Sequence, residues 1–250
     1  MKWIGADRTV LRIPVATVSV LLLGPGTTVT HAAVKTCGEC NTPICWIGED
    51  GMKFYAVGVE PTHDNHQALH QASVHANKKK REEVARRMFR MRFIDQEVTG
   101  NSIQTLRGIE GRRVKELYAG LGEKYGVSWK GRNYDPADFT LSDKINKAVS
   151  AANHALYALT LSVVCSLGYL PQLGFIHSSG RLPFVYDIAD IYKPETSLEA
   201  AFQTVGIHPD AGIKDVIARL KFHLEEQKVM RRMPEDIERL LTFDASGDEP

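Results

Sequence analysis

The apolar pattern of the chain changes near residue 60, and this change limits the possible folds more than any other feature. Before that point, apolar residues occur in short or alternating runs that are typical of β-strands. These runs are Val10–Ile13, Val15–Leu23, Ile44–Ile47 and Lys53–Val59. After it, apolar residues recur every three or four positions, as on one face of a helix. The pattern therefore predicts an α+β protein, with a small N-terminal β domain followed by a larger all-α domain.

Polar breaks divide the chain into four predicted segments. We expect a β domain over 1–60, a linker over 61–66, a helical domain over 67–243 and a disordered tail over 244–250. The predicted helices are Thr30–Cys40 within the β domain and then Gln67–Phe93 (long or broken), Ser102–Tyr125, Ser142–Leu167, Pro183–Ile191, Leu198–Val205, Asp215–Met230 and Glu235–Leu241. Pro194 is expected to stop the helix before it, because proline cannot continue the pattern of backbone hydrogen bonds.

Two apolar stretches imitate membrane signals. Ile13–Leu23 has the length of a signal-peptide core, but its β-branched alternation and the following turn Gly24–Gly26 favour a buried strand. Ala148–Leu167 carries no formal charge, yet serine, asparagine, histidine and threonine interrupt it. That composition favours a helix buried in a bundle over a membrane span. We therefore predict a cytoplasmic protein that does not contact a membrane.

Four cysteines are too few for a disulfide framework in a chain of 250 residues. Cys165 lies in an apolar run and is expected in the core. Cys37 and Cys40 form a C-x-x-C with Cys45 nearby, but no second pair completes a four-ligand zinc site. We expect reduced, partly buried thiols, and the sequence assigns no role to the three N-terminal cysteines.

A basic run lies between Lys78 and Phe93, which contains eight lysines and arginines but only two glutamates. The run stands out because the net charge of the whole chain is only +1. Two interpretations remain open: a solvated helix face, or a face that binds the phosphates of a nucleic acid.

Glu110 interrupts an apolar stripe on the predicted helix Ser102–Tyr125. The stripe consists of Ile103, Leu106, Val114, Leu117 and Leu121. A carboxylate at such a position is costly unless a cation or a hydrogen-bond network meets it. The residues alone leave a ligand site and a structural ion pair open, the latter with Arg107, Arg112 or Arg113.

A second group of polar residues lies in the segment Gly174–Ile191. His177 ends an apolar run and projects into a loop, where a lone histidine is often structural. Asp187 and Asp190 are spaced i and i+3 on a short apolar helix, so they share one face. Two aspartates on so apolar a helix indicate a nearby cation.

Together, Glu110, His177 and either Asp187 or Asp190 would give two carboxylates and one imidazole. Hard carboxylate oxygens favour Mg²⁺ or Mn²⁺, and the imidazole favours Mn²⁺ over Ca²⁺. An ion held by these groups can polarise a phosphodiester and activate a water or a DNA 3′-hydroxyl. Sequence spacing alone does not bring the three segments together.

Four runs of residues carry a resemblance to a known family. They are LLGPGTTVTHAAV, LRGIEGRRVKELY, YGVSWKGRNYDP and LGFIHSSGRLPFVYDIADIYK. Over the range from Lys2 to Phe202, the chain resembles the CRISPR-associated endonuclease and integrase of spacer acquisition, in its subtype I-E form. The resemblance implies a β domain followed by an α-helical catalytic domain.

The resemblance also implies an activity and an assembly. Family members use the 3′-hydroxyls of a captured double-stranded DNA fragment to attack the CRISPR repeat, and they nick or cut branched DNA. By this similarity the chain forms a homodimer, and two dimers enclose a dimer of a small ferredoxin-like partner protein.

The same resemblance assigns roles to individual residues. Glu110, His177 and Asp190 fall on the metal ligands, and Asp187 is an accessory acidic residue beside them. Tyr134 and Tyr157 match tyrosines that line the active site. The predicted DNA-binding residues are Lys35, Lys53, Arg107, Arg112, Arg132, Tyr157 and Arg181.

Met1 falls within what would be the second or third strand of the family's β domain, so we expect that domain to be incomplete at its start. This departure leaves a second hypothesis open: a DNA-binding scaffold of the adaptation complex with impaired catalysis. A third hypothesis is a metallohydrolase that acts on another phosphodiester.

Overall fold

The computed structural model describes residues 1–48, 54–58, 65–92, 102–132 and 143–243. The predicted α+β class is confirmed: a small N-terminal region with two sheets precedes a mostly helical region. The bounds of the two domains stay a prediction. Most of the expected linker and the whole expected tail lie outside the described residues.

The described part of the N-terminal region contains five short strands and one helix. They are β1 (Lys2–Ile4), β2 (Val10–Arg12), β3 (Leu21–Leu23), α1 (His31–Glu39), β4 (Ile44–Ile47) and β5 (Phe54–Gly58). β1 and β2 form an antiparallel pair. β4 is central in the second sheet, parallel to β3 and antiparallel to β5.

The strand predicted over Val15–Leu23 is wrong in its first half. Val15–Thr17 form a 3-10 turn, and only Leu21–Leu23 pair as a strand. The hydroxyl of Thr42 donates to the carbonyls of Val15 and Val18, at 3.2 Å each, so these carbonyls bond to a side chain instead of a neighbouring strand. β1 was not predicted, because a strand of three residues shows too little alternation.

Eight helices follow in the described part of the C-terminal region. They are α2 (His66–Ala76), α3 (Lys78–Arg92), α4 (Ile103–Tyr125), α5 (Lys144–Ser166), α6 (Pro183–Tyr192), α7 (Glu199–Ile207), α8 (Ile213–Glu226) and α9 (Val229–Leu241). The expected break in the first long helix lies at Asn77, between α2 and α3. The hydroxyl of Ser102 accepts the amide of Thr105 at the start of α4. Gly126 ends α4 with a φ of 65°, which glycine adopts without strain.

Pro194 does not stop the chain's helical course, contrary to the prediction. Residues Pro194–Leu198 form a π-helical turn that leads directly into α7. The amide of Leu198 donates to the carbonyl of Lys193, five residues earlier, at 3.0 Å, as in a π-helix. Pro194 lies inside this turn and has no N–H to donate. The wider π turn therefore accommodates Pro194 without ending the helical segment.

α5 is the central helix of the helical region. By length and composition it could cross a membrane, but 72% of its most apolar window is buried inside the protein. It contacts α6, α7, α8 and α9. The uncharged stretch is thus a core helix, as predicted. The β region packs against this core, since Cys45 of β4 belongs to the same apolar cluster as residues of α3, α5 and α6.

Candidate functional site

Glu110 lies on α4 at the predicted position in the apolar stripe, one turn after buried Leu106. Its side chain is 17% exposed, and its carboxylate forms an ion pair with Arg92 of α3. The structural partner is therefore Arg92, and not Arg107, Arg112 or Arg113, the candidates from the sequence.

Asp190 lies on α6 and is buried. Its Oδ1 is 2.5 Å from Nζ of Lys193, and its Oδ2 is 3.6 Å from Nη2 of Arg92. Burial acts to raise the pKa of Asp190, but the positive charges of Lys193 and Arg92 outweigh it and hold that pKa below its usual value. Asp190 is therefore an anion, and the guanidinium of Arg92 links it to Glu110.

Asp187, one turn earlier on α6, is fully buried and binds the loop that carries His177. Its Oδ2 accepts the amides of Phe175 at 2.6 Å and Ile176 at 3.0 Å. Its Oδ1 accepts the amide of His177 at 2.9 Å and lies 2.6 Å from Nδ1 of the same residue. Four donors on one carboxylate fix both the loop and the ring.

The hydrogen bond to Asp187 determines which nitrogen of His177 can bind a ligand. A carboxylate only accepts, so Nδ1 carries the proton and Nε2 is left as the acceptor. The same bond raises the pKa of His177 above its usual value. Orientation of a histidine by a buried carboxylate is the arrangement found behind metal-bound imidazoles.

Aromatic side chains line the surroundings of these charges. Nζ of Lys193 lies 4.7 Å from the ring centre of Tyr157. The Tyr157 ring packs edge-on against Tyr186, with centroids 5.0 Å apart, and Tyr186 in turn packs against His177 at 6.0 Å. The structure thus brings predicted Tyr157 next to the group of Asp190, Lys193 and His177.

The other predicted residues are dispersed. Arg107 donates to the carbonyl of Ile176, beside the His177 loop. Arg132 is engaged internally, with Asn146 and with the hydroxyl of Ser150 at 2.8 Å. Arg112 and Arg181 are exposed, and Lys35 pairs with Glu39 on the surface of α1. Tyr134 and Lys53 lie outside the described residues.

Two cations of the site, Arg92 and Lys193, were not predicted. Lys193 stands three residues after Asp190, a spacing that places both on one helix face. Arg92 follows buried Met88 and Phe89 by four and three positions, so it continues the buried face of α3. That spacing indicates an inward position for Arg92. The dense positive charge of the run instead favoured an exposed face, in contact with solvent or with phosphates.

The donor set fits a hard divalent cation in kind: two carboxylates and one oriented imidazole. The buried Oδ1 of Asp190 makes no well-oriented hydrogen bond within the described residues, although Lys193 is close. Among those same residues, no three histidine, cysteine, aspartate or glutamate side chains are gathered closely enough to enclose an ion. The carboxylates contact Arg92 and Lys193 instead.

The cysteines lie apart from this site and are free. Burial raises the pKa of the Cys45 thiol to about 12 and that of Cys165 to about 11. Thiols in that state are poor nucleophiles and poor metal ligands at neutral pH. Cys37 and Cys45 are fully buried and Cys40 is half-buried, so two of the three N-terminal thiols are more buried than expected.

Comparison with known proteins finds one family. A family model described as CRISPR associated protein Cas1 matches residues 4–99 and 90–206. A CRISPR-associated endonuclease Cas1 of Chlorobaculum tepidum is 48% identical over 202 residues, which are 81% of this chain and 68% of that protein. The CRISPR-associated endonuclease Cas1 of Escherichia coli K12 is 38% identical over 237 residues, or 94% of this chain and 78% of that one.

Solved structures agree with the sequence matches. The crystal structure of a TtCas1–DNA complex superposes on 100% of this chain and 89% of its own, with a TM-score of 0.88 and 36% identity. The β region, the helical region and their order are thus those of this solved structure.

Proposed function

Because the chain belongs to the Cas1 family of CRISPR-associated proteins, we propose that it is a DNA endonuclease and integrase that inserts captured foreign DNA as new spacers into a CRISPR repeat array. Similar proteins are named CRISPR-associated endonucleases, and one was solved in complex with DNA. The observation that carries the proposal is the pair of carboxylates Glu110 and Asp190, which Arg92 links between α4 and α6, with His177 oriented by Asp187 on the loop before α6.

The proposal includes a divalent metal, Mg²⁺ or Mn²⁺, held by Glu110, His177 and Asp190. Such an ion, when bound, supplies Lewis-acid activation of a phosphodiester and of the attacking hydroxyl. Asp187 does not belong to the ligand set, because four hydrogen bonds already occupy its carboxylate. Its role is to hold His177 with Nε2 directed away from the helix that carries Asp187.

Cations and aromatic groups would bind the DNA around these residues. Lys193 stays charged: burial acts to lower its pKa, but the charge of Asp190 outweighs burial and raises it. A charged amine next to the scissile phosphate stabilises negative charge as it develops. Tyr157 lies against Lys193 and fixes its position.

The same proposal covers the oligomeric state, the partner protein and the cellular location. Trp3, Ile4, Val10 and Leu11 on β1 and β2 are exposed by 48–67%. Trp3 and Leu11 lie on one face of this two-stranded ribbon and Ile4 and Val10 on the other, so apolar side chains are exposed on both faces. Exposed apolar residues of this kind support a protein–protein interface, which fits the homodimer. The proposed partner is a small ferredoxin-like protein, the proposed system is subtype I-E, and the proposed location is the cytoplasm.

The test is half-site integration of a labelled duplex into CRISPR repeat DNA, with Mn²⁺ and with or without the partner protein. Glu110→Ala and His177→Ala are expected to abolish strand transfer while the protein stays folded. Glu116→Ala is the matched control, since it removes an exposed carboxylate of the same helix. Undiminished transfer by either of the first two variants would remove the metal site from the proposal.

One observation favours a second candidate, a DNA-binding scaffold with impaired catalysis. Within the described residues the carboxylates of the site contact cations of the protein itself, and no three donors enclose an ion. A scaffold predicts that the wild-type protein binds branched DNA but joins no ends at any Mn²⁺ concentration. Metal-dependent joining by the wild-type protein would exclude it.

A further inference from the structure

Arg92 occupies the space between the two carboxylates of the site. One end of its guanidinium pairs with Oε1 of Glu110, and its Nη2 lies 3.6 Å from Oδ2 of Asp190. The side chain of Arg92 is 8% exposed, and those of Glu110 and Asp190 are 17% and 11% exposed. The three groups therefore form a shielded anion–cation–anion arrangement that joins α3, α4 and α6.

This position is fixed by the packing of α3. Met88 and Phe89, one turn before Arg92, are fully buried and hold that face of the helix against the core. A charged group on such a face requires counter-charges, because an isolated buried ion is strongly unfavourable. Glu110 and Asp190 are those counter-charges.

We propose that Arg92 is an internal counter-cation that holds Glu110 and Asp190 in place and that a divalent ion must displace from them. The inference rests on the proposed function, because it takes these two carboxylates as metal ligands. A guanidinium that bridges both carboxylates stands where a cation shared by them would stand. Arg92 is thus a positioning residue that also sets the metal affinity.

Charge explains why displacement is required. Among the described residues, Glu110 and Asp190 carry two negative charges and Arg92 and Lys193 two positive ones, so these four groups balance. A divalent ion added to these four groups meets two nearby cations in a shielded environment, where repulsion is strong. Of the two carboxylates, Lys193 contacts Asp190, whereas Arg92 contacts both, so release of Arg92 frees both ligands.

The test is the affinity of the DNA-free protein for Mn²⁺, measured by isothermal titration calorimetry on wild type and Arg92→Met. Methionine replaces the aliphatic part of the arginine side chain and removes its charge. We expect the variant to bind Mn²⁺ at least about tenfold more tightly. Without metal its melting temperature should fall, and saturating Mn²⁺ should raise that temperature more than in wild type.

Arg87→Met is the matched control. Arg87 lies on the same helix and donates to the carbonyl of Thr242 at 2.6 Å, away from the carboxylates. Its loss should lower the melting temperature but leave the Mn²⁺ affinity within twofold of wild type, in contrast to Arg92→Met. If Arg92→Met does not fold, Arg92→Lys takes its place, because a single ammonium bridges two carboxylates less well than a planar guanidinium.

The outcomes separate this inference from the proposed function. The inference would be overturned if the Arg92 variant bound Mn²⁺ no more tightly than wild type. The metal site itself would stand if wild type bound Mn²⁺ and Glu110→Gln abolished that binding. Absence of Mn²⁺ binding by both the wild type and the Arg92 variant would overturn both. Tighter Mn²⁺ binding by the Arg92 variant, but not by Arg87→Met, supports the inference.

Discussion

Asp187 shows at the scale of a single residue how one side chain serves the fold and the site. Its carboxylate is fully buried on α6 and accepts three backbone amides of the loop 175–177 as well as Nδ1 of His177. A neutral amide cannot replace it, since one of its two polar atoms is a donor and would face amide donors.

Asp187→Asn is therefore expected to lower strand-transfer activity about 10- to 100-fold, the usual effect of losing the group that orients a metal-bound histidine. It should also lower the melting temperature, because buried amides lose their acceptor. Activity and thermal unfolding measured on the same preparation check both effects. Asp215→Asn is the control, since Asp215 is an exposed aspartate that caps α8. Wild-type activity in Asp187→Asn would contradict the orienting role.

The sequence located Glu110 correctly on the inward stripe of its helix, while its role as a metal ligand stays a prediction. Its neighbours at three- and four-residue spacing defined a buried face, and any carboxylate there had to have a partner. His177 could not be interpreted in the same way, because its role depends on a hydrogen bond to Asp187 across a loop of irregular backbone. The partner Arg92 was missed because the eight basic residues of the helix were interpreted as one surface, although the spacing of Arg92 from Met88 and Phe89 places it on the inward face.

At the scale of elements, α4 and α7 cross at a glycine. A Cβ added to Gly206 of α7 would lie 2.3 Å from the carbonyl oxygen of Tyr125, near the end of α4. The same crossing carries the 2.5 Å hydrogen bond from Tyr125 to Glu199. Glycine is therefore required at position 206, because α4 and α7 lie too close together there for a Cβ.

Gly206→Ala should destabilise the protein by about 1–3 kcal/mol, because backbone atoms must move to accept the methyl group. Gly120→Ala is the matched control on α4. A Cβ at Gly120 meets nothing within 4 Å, so the substitution should stabilise the helix by about 1 kcal/mol. Denaturant unfolding of the two variants gives the comparison, and equal effects on both would refute the close crossing.

The helices were largely predictable and the β region less so. Amphipathic periodicity and end signals such as Ser102 and Gly126 located α4 to within a residue or two. The π turn after Pro194 was not predictable, because proline normally ends a helix and only the surrounding packing selects the wider turn. The 3-10 turn at Val15 depends on Thr42, a residue distant in the chain, which no local pattern reveals.

At the scale of the whole molecule, charge is distributed unevenly around a net charge of +1. Some basic residues of α3 are engaged internally: Arg92 at the carboxylates and Arg87 at the end of α9. Lys78 and Lys79 at the start of the helix are exposed. Only the exposed part of the run remains a candidate phosphate-binding face.

Lys78→Gln/Lys79→Gln should weaken DNA binding and flatten its salt dependence, by about 0.9 in the slope of log K against log salt for each phosphate that the protein no longer neutralises. The control is Lys221→Gln/Lys228→Gln, which removes two exposed charges from another part of the surface. DNA affinity measured between low and physiological salt distinguishes the two pairs. Equal slopes for both double variants would mean that the start of α3 does not touch DNA.

The double duty of Asp187 has a practical consequence for laboratory selection. A screen that rewards only abundance of folded protein would retain this aspartate, even under conditions where DNA joining brings no advantage. Retention of Asp187 in a screen for DNA joining would thus say little about chemistry, because folding alone also selects for it. Retention of His177, whose side chain is 40% exposed, would indicate a role beyond folding. Inactive reference proteins for work in cells are accordingly better made at His177 than at the aspartate behind it.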